Sequence, residues 1–149
     1  MNSTEIKIRS ASPGDLGTII KLLNDVNLPT AGVDGSRLPS YLIAEEDTAI
    51  IGVAGLERYG EYGLLRSVAV VPSKRNVGIA SRLCEAILER AIFDRVREVY
   101  LLTTTADKYF TRYGFETIER GEVPPEVQAS SEYISVCPES AVVMRLKLS

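Results

Sequence analysis

Histidine is absent from this 149-residue chain. Its absence excludes a Ser-His-Asp triad, a Cys-His dyad and any His-based zinc site. Cysteine is scarce as well: Cys84 and Cys137 stand far apart and lack the close spacing of metal ligands. No metal site is therefore expected, and a reducing cytoplasm is the expected compartment. No apolar run approaches the length of a membrane span, and the polar N-terminus lacks the charged-then-apolar pattern of a signal peptide. Basic charge is not in excess, with 17 Lys and Arg against 20 Asp and Glu and a net charge of −3. A chain built as a whole to bind nucleic acid or an anionic membrane is thereby excluded. Repeats, low-complexity tracts and linker-like stretches are missing too, so residues 1–149 read as one domain.

The apolar share of 45% and the charged share of 25% are ordinary for a soluble chain with a real core. Alternation predicts a strand over residues 4–9. Ser12, Pro13 and Asp15 then form a capping pattern, and Leu16, Ile19, Ile20, Leu23 and Val26 follow at helical spacing. Residues 27–39 read as loop or a short helix. Strands follow at 41–45 and 49–59, then a turn over 60–63 and a third strand at 64–71. A helix is predicted over 78–90, a buried strand over 99–103 and a short helix over 105–112 with Gly114 past its end. A strand at 115–118, a short helix near 124–131 and a last strand at 141–148 complete the order. Three antiparallel strands, a crossover helix and a further strand define an α/β chain with a mixed sheet and helices on both faces.

Chemistry concentrates where the third strand gives way to the long helix. Gly78 and Ala80 leave room at a helix start whose first N–H groups lack internal partners. A phosphate could accept those groups, with Lys74 and Arg75 adding charge. A plain helix cap with a surface basic pair would read the same, so the loop alone leaves both readings open. It is neither a P-loop nor the three-glycine dinucleotide fingerprint.

The surroundings favour the phosphate. Arg75-x-x-Gly78-x-Ala80 resembles the Arg/Gln-x-x-Gly-x-Gly/Ala signature of the GNAT acetyltransferases, and the segment from Tyr109 to Glu116 resembles their Y-x-x-x-G-F segment. Both stand in register with the family's strand order, and the resemblance covers essentially the whole chain. Within that family, LPTAGV (28–33), LLRSVAV (64–70), LLTTTA (101–106) and CPESAVVM (137–144) resemble the arsenic-resistance N-acetyltransferases, a group similar to single-domain glutamate-type amino-acid acetyltransferases. The resemblance implies the GNAT fold, a mostly antiparallel twisted sheet with a splayed acetyl-CoA cleft. It implies acetyl-CoA as cosubstrate and direct transfer to the amine of a small amino acid or analogue, glutamate-like or arsenic-containing. It also allows a homodimer.

Carried over by position, Val68 and Val70 offer backbone groups to the cofactor arm, with one N–H of Val68 facing the thioester oxygen. Arg75, Asn76, Val77, Gly78, Ile79, Ala80 and Ser81 form the pyrophosphate seat. Thr104, Tyr109 and Phe110 border the cofactor. The family's usual thiolate-protonating Tyr falls at Phe110, and Tyr109 points elsewhere, since one helical residue turns a side chain by about 100°.

Without histidine the base is a carboxylate, a tyrosine or none, and Glu57 is the candidate carboxylate. A Glu61-Tyr62 hairpin loop would set Glu57 opposite Arg66. Arg66 is then either one half of a cross-strand pair or a bidentate grip on a substrate carboxylate. The second is favoured, because alternation sets Arg66 on the face of Val68. Thr103 and Thr105 are substrate candidates or ordinary strand-end residues; Ser140 is a substrate candidate from the resemblance alone. Cys84 reads as core. Two rival functions are a catalytically silent acyl-CoA-binding regulator and a protein or peptide N-acetyltransferase.

Overall fold

A computed structural model describes residues 5–36, 40–75, 77–135 and 141–148. The strands are β1 (Ile6–Ser10), β2 (Tyr41–Glu46), β3 (Ala49–Tyr59), β4 (Tyr62–Val70), β5 (Glu98–Thr103), β6 (Glu116–Ile118) and β7 (Val142–Lys147). The helices are α1 (Leu16–Asp25), α2 (Ile79–Phe93), α3 (Asp107–Thr111), α4 (Pro125–Gln128) and α5 (Ser131–Ser135). The predicted helix near 124–131 is thus two short helices rather than one. The seven-stranded sheet runs β1-β2-β3-β4-β5-β7-β6. Every neighbouring pair is antiparallel except β4 with β5, which confirms the mixed, mostly antiparallel sheet.

Helices cover both faces because both faces of the central strands are apolar. Leu83, Cys84, Ile87 and Ala91 of α2 pack on Leu42, Ala54, Leu65 and Val70. On the other face Ile19, Leu22 and Leu23 of α1 meet Tyr41, Ile43, Val53 and Ala69. Burial of each large side chain contributes about 1.5–3 kcal/mol. Behind these, Val123 and Val127 close over Leu64, Tyr100 and Val143. The α1 start forms as its capping pattern predicts: the Ser12 N–H donates to Asp15 Oδ2 at 2.8 Å, and Arg9 clamps both Asp15 oxygens at 2.9 and 3.1 Å.

Three features of the sheet shape the site. The β3–β4 hairpin turns on Gly60 and Glu61, with Tyr59 opposite Tyr62. Gly60 sits at φ +65°, as the first position of a two-residue turn demands. The expected Glu61-Tyr62 loop is therefore displaced by one residue, and Glu57 lies opposite Leu64 rather than Arg66. Second, β4 carries a bulge. Gly55 pairs with Arg66 and Val53 with Ala69, so Ser67 and Val68 together face Ala54. Ser67 takes φ +61° to make this turn. The extra residue resets the alternation. Val68 packs with Leu65 and Val70 on the α2 side, while Ala69 joins the α1 side. The expected common face of Arg66 and Val68 is lost for that reason. Third, β4 and β5 pair only at Tyr62–Glu98, Gly63–Val99 and Leu64–Tyr100, then separate.

Candidate active site

The separation of β4 from β5 opens a cleft of about 890 Å³. One wall is β4 from Leu65 to Val70; the other is the end of β5 with Thr103, Thr104 and Thr105. Val71 N–H donates to Ile51 of β3 at 2.9 Å. Strand groups alternate in direction, so those of Val70 and Val68 turn to the cleft. The Val70 carbonyl accepts from Arg75 Nε at 3.4 Å, which fits that orientation. The backbone groups of Val68 and Val70 thus point away from β3, on the side where β5 has separated.

The floor at one end is the start of α2. Gly78 is its N-cap, at φ +83°, and a Cβ there would meet nothing within 4 Å. Gly78 thus meets two needs, a left-handed turn and open access. The first bond of the helix joins the Arg82 N–H to the Gly78 carbonyl at 3.1 Å, so the N–H groups of Ile79, Ala80 and Ser81 have no partner within the helix. Lys74, Arg75 and Arg112 line the same end. The Ile79 side chain is buried in the core, so only its backbone serves the seat. Val77 is 64% exposed and lies off the lining. Asn76 and Ser140, both expected at the site, and Cys137 fall outside the described residues.

At the hinge of the cleft, Phe110 is buried and packs edge-on against Tyr109 and Phe115. Tyr109 also lines the cleft. Its hydroxyl lies 2.7 Å from that of Tyr113, which donates to Ser81 Oγ at 3.2 Å. Burial pushes the Tyr113 hydroxyl above its ordinary pKa and the Cys84 thiol up to about 11. Cys84 is therefore a neutral core residue, as its place in the helix stripe suggests. Thr103 is partly committed to structure: its Oγ1 accepts from the N–H groups of Ala106 at 2.9 Å and Thr105 at 3.3 Å, securing the turn into α3.

The other end of the cleft holds buried charge. The Arg66 side chain is fully enclosed. Nε donates to Ser67 Oγ at 3.1 Å, Nη1 to the Ala31 carbonyl at 2.6 Å and Glu57 Oε2 at 3.1 Å, and Nη2 to the Pro29 carbonyl at 3.1 Å. Its fork thus faces the chain's own loop and Glu57. Glu57 reaches Arg66 diagonally across the hairpin, also accepts from the Tyr59 hydroxyl at 2.6 Å, and is 1% exposed. It pairs with Arg66 as expected but stands behind it, outside the cleft lining, away from the place its expected role as a candidate base requires.

A different carboxylate lines the cleft. Glu132, on α5, is 5% exposed and sets Oε1 3.7 Å from Arg66 Nε. Burial, aided by Glu57 and opposed by Arg66, pushes its carboxyl up to about 7. Sequence reasoning missed it because a glutamate in the first turn of a short helix usually faces solvent. Among the described residues, no group of three potential metal ligands occurs, and no helix is long and apolar enough to cross a membrane.

A mixed sheet that parts between two parallel strands and aims a helix start into the gap defines a coenzyme A-dependent acyltransferase domain. The chain belongs to the GNAT acetyltransferase family: the Acetyltransferase (GNAT) domain profile matches residues 38–117. An amino-acid acetyltransferase of Aeromonas salmonicida is 30% identical over 128 residues, 80% of this chain and 29% of that protein. Another from Edwardsiella ictaluri is 29% identical over 144 residues, 89% of this chain and 32% of that protein. The chain thus spans under a third of these curated relatives. N-acetylglutamate synthase from Neisseria gonorrhoeae, solved with coenzyme A and N-acetyl-glutamate, superposes with a TM-score of 0.84 at 22% identity, covering 99% of this chain and 36% of that one. Rv2747 from Mycobacterium tuberculosis, solved with CoA, gives 0.78 at 22% identity, covering 96% and 99%. Acetyl-CoA is the cosubstrate that the seat and the strand edge fit.

Proposed function

We propose that this chain transfers acetyl from acetyl-CoA directly to the amine of a small amino acid or amino-acid analogue. The parted β4–β5 edge carries this reading, because it sets a phosphate seat and a buried, charged pocket at opposite ends of one cleft. The pyrophosphate lies on Ile79, Ala80 and Ser81 N–H groups, and the pantetheine arm extends along Val68 and Val70. The thioester then reaches the pocket beside Ser67 and Arg66. The Val68 N–H polarises the thioester carbonyl as charge develops on its oxygen.

Arg66 holds the loop of residues 28–33 in place through Pro29 and Ala31, and Leu28 and Pro29 of that loop wall the pocket. Its role is to position rather than to grip a substrate carboxylate. The amino-acid class is supported by the amino-acid acetyltransferases to which the chain is similar. A glutamate-like compound or its arsenic-containing analogue belongs to that class. Thr105, offered for the substrate, and Thr104, offered for the cofactor, both line the cleft.

A free-thiol assay with acetyl-CoA across the amino acids and their acidic analogues tests the function. Thiol release that depends on an α-amine, with the acetylated product found by mass spectrometry, is the expected result. Tight acetyl-CoA binding with no release for any amine would instead assign the chain to acyl-CoA sensing. Release with peptides only would assign it to protein acetylation.

A further inference from the structure

We propose that Glu132 is the general base that takes the proton from the substrate's ammonium group; this rests on the amine-acetylating function above. Glu132 lines the cleft, and its Oε2 is enclosed without a hydrogen-bond partner among the described residues. A carboxylate kept only for structure would have both oxygens satisfied, since an unpaired buried acceptor is costly. Here one oxygen looks toward Arg66 and the other is left for a ligand.

Charge identifies that ligand. Among the described residues, the charged or titratable groups facing Glu132 are Arg66 of β4, Glu57 of β3 and Tyr41 of β2. Tyr41 is a neutral phenol, its pKa pushed up to about 12 chiefly by burial. Arg66 is already matched by Glu57 at 3.1 Å. Glu132 Oε1 lies 3.7 Å from Arg66 Nε, beyond hydrogen-bond reach, so an ionised Glu132 is only partly compensated by that guanidinium. An ammonium group compensates the Glu132 carboxylate, and so does a proton. The two alternatives are the two ends of one proton transfer.

The step balances. The ammonium gives one proton to Glu132 Oε2 and becomes a neutral amine. Its lone pair attacks the thioester carbonyl carbon, forming the C–N bond. The C–S bond breaks with its electron pair on sulfur, and the second amine proton passes to that thiolate. Products are the acetamide and the free thiol, and Glu132 returns its proton to solvent. A base whose pKa lies near neutrality suits this exchange.

The test compares the wild-type chain with Glu132→Gln and Glu132→Asp across pH 5.5 to 9.5, with acetyl-CoA affinity and melting temperature measured on each. Glu132→Gln is expected to lower kcat/KM for the amine by about a hundredfold or more near neutral pH. Its acid limb should vanish, replaced by a line of unit slope that follows the free amine. Acetyl-CoA affinity should stay within about threefold. Glu132→Asp should retain part of the rate and keep the acid limb. Sign and direction also follow for stability. A carboxyl whose folded pKa lies above its unfolded value contributes stability below about pH 4.5 that is lost as pH rises through about 7. Glu132→Gln should therefore melt no lower than wild type at pH 8. A Gln variant that keeps wild-type activity, or loses activity yet keeps the acid limb, overturns the proposal. Should neither variant fold, Glu132 is a structural residue and the proposal fails. A wild-type chain without turnover on any amine overturns the function itself, and the base with it.

Discussion

At the residue scale, Gly78 is the position with the most specific demand. Its φ of +83° favours glycine, and the space over it is open. Gly78→Ala therefore probes the backbone alone and should cost about 1–2 kcal/mol of stability. Gly78→Asp adds a carboxylate where the pyrophosphate would sit. Its acetyl-CoA affinity should fall more than tenfold, above about 1.4 kcal/mol. Calorimetry on both variants checks the pair; unchanged binding in a folded Gly78→Asp variant would remove the phosphate from this seat. Arg66 makes a different demand. Arg66→Ala removes the guanidinium paired with the buried Glu57, and breaking a buried pair costs about 3–5 kcal/mol, a melting shift of order 10 °C. Removing Glu57 as well should return part of it. Arg66→Lys keeps charge but loses the planar fork that holds Pro29 and Ala31. The amine KM and the melting temperature should then both worsen while acetyl-CoA affinity holds. A KM rise with an unchanged melting temperature would place Arg66 on the substrate instead.

At the element scale, the entry to α1 depends on one carboxylate. Arg9 and the Ser12 N–H hold the Asp15 carboxyl well down, from 3.8 to about 2, with the Arg9 hydrogen bond the largest cause. A lowered folded pKa contributes stability that is present above the unfolded value and lost as pH falls through the folded one. Asp15→Asn should therefore melt lower than wild type by a constant margin above about pH 5. That margin should shrink between about pH 4 and pH 2. Melting curves across this range test it, and a margin independent of pH would show that the pair contributes nothing through charge. The bulge in β4 acts at the same scale. By spending one extra residue at Ser67, it turns Arg66 toward the loop and Val68 toward α2.

At the scale of the whole molecule, the two halves of the sheet join at the short β4–β5 pairing and the cleft lies beyond it. A ligand that lies along β4 and on the α2 start adds contacts that the apo chain lacks. Binding to the folded state alone stabilises by RT ln(1 + [L]/Kd), about 2.7 kcal/mol at a hundredfold excess over Kd. Acetyl-CoA at that excess should raise the melting temperature by roughly 5–10 °C, and Gly78→Asp should abolish most of the rise. A wild-type chain that melts at the same temperature with and without acetyl-CoA would rule out the cleft as its site.

Element order, the mixed sheet and the helix start at Gly78 were legible in the sequence because each rests on local periodicity or on a residue with a narrow backbone preference. Alternation revealed the strands, helical spacing revealed α1 and α2, and Gly78 marked the start of α2. The β3–β4 register was not legible, because Gly60 and Gly63 offer the turn two placements one residue apart. The bulge was hidden because serine at positive φ leaves no local mark. What Arg66 holds was decided by carbonyls 35 and 37 residues away, and the place of Glu132 by a five-residue helix too short to show a period. Charge in a pocket is set by which groups exclude water together. That is a property of packing between distant segments, and only the tertiary structure sets Glu132 at the cleft beside an Arg66 that Glu57 holds from behind.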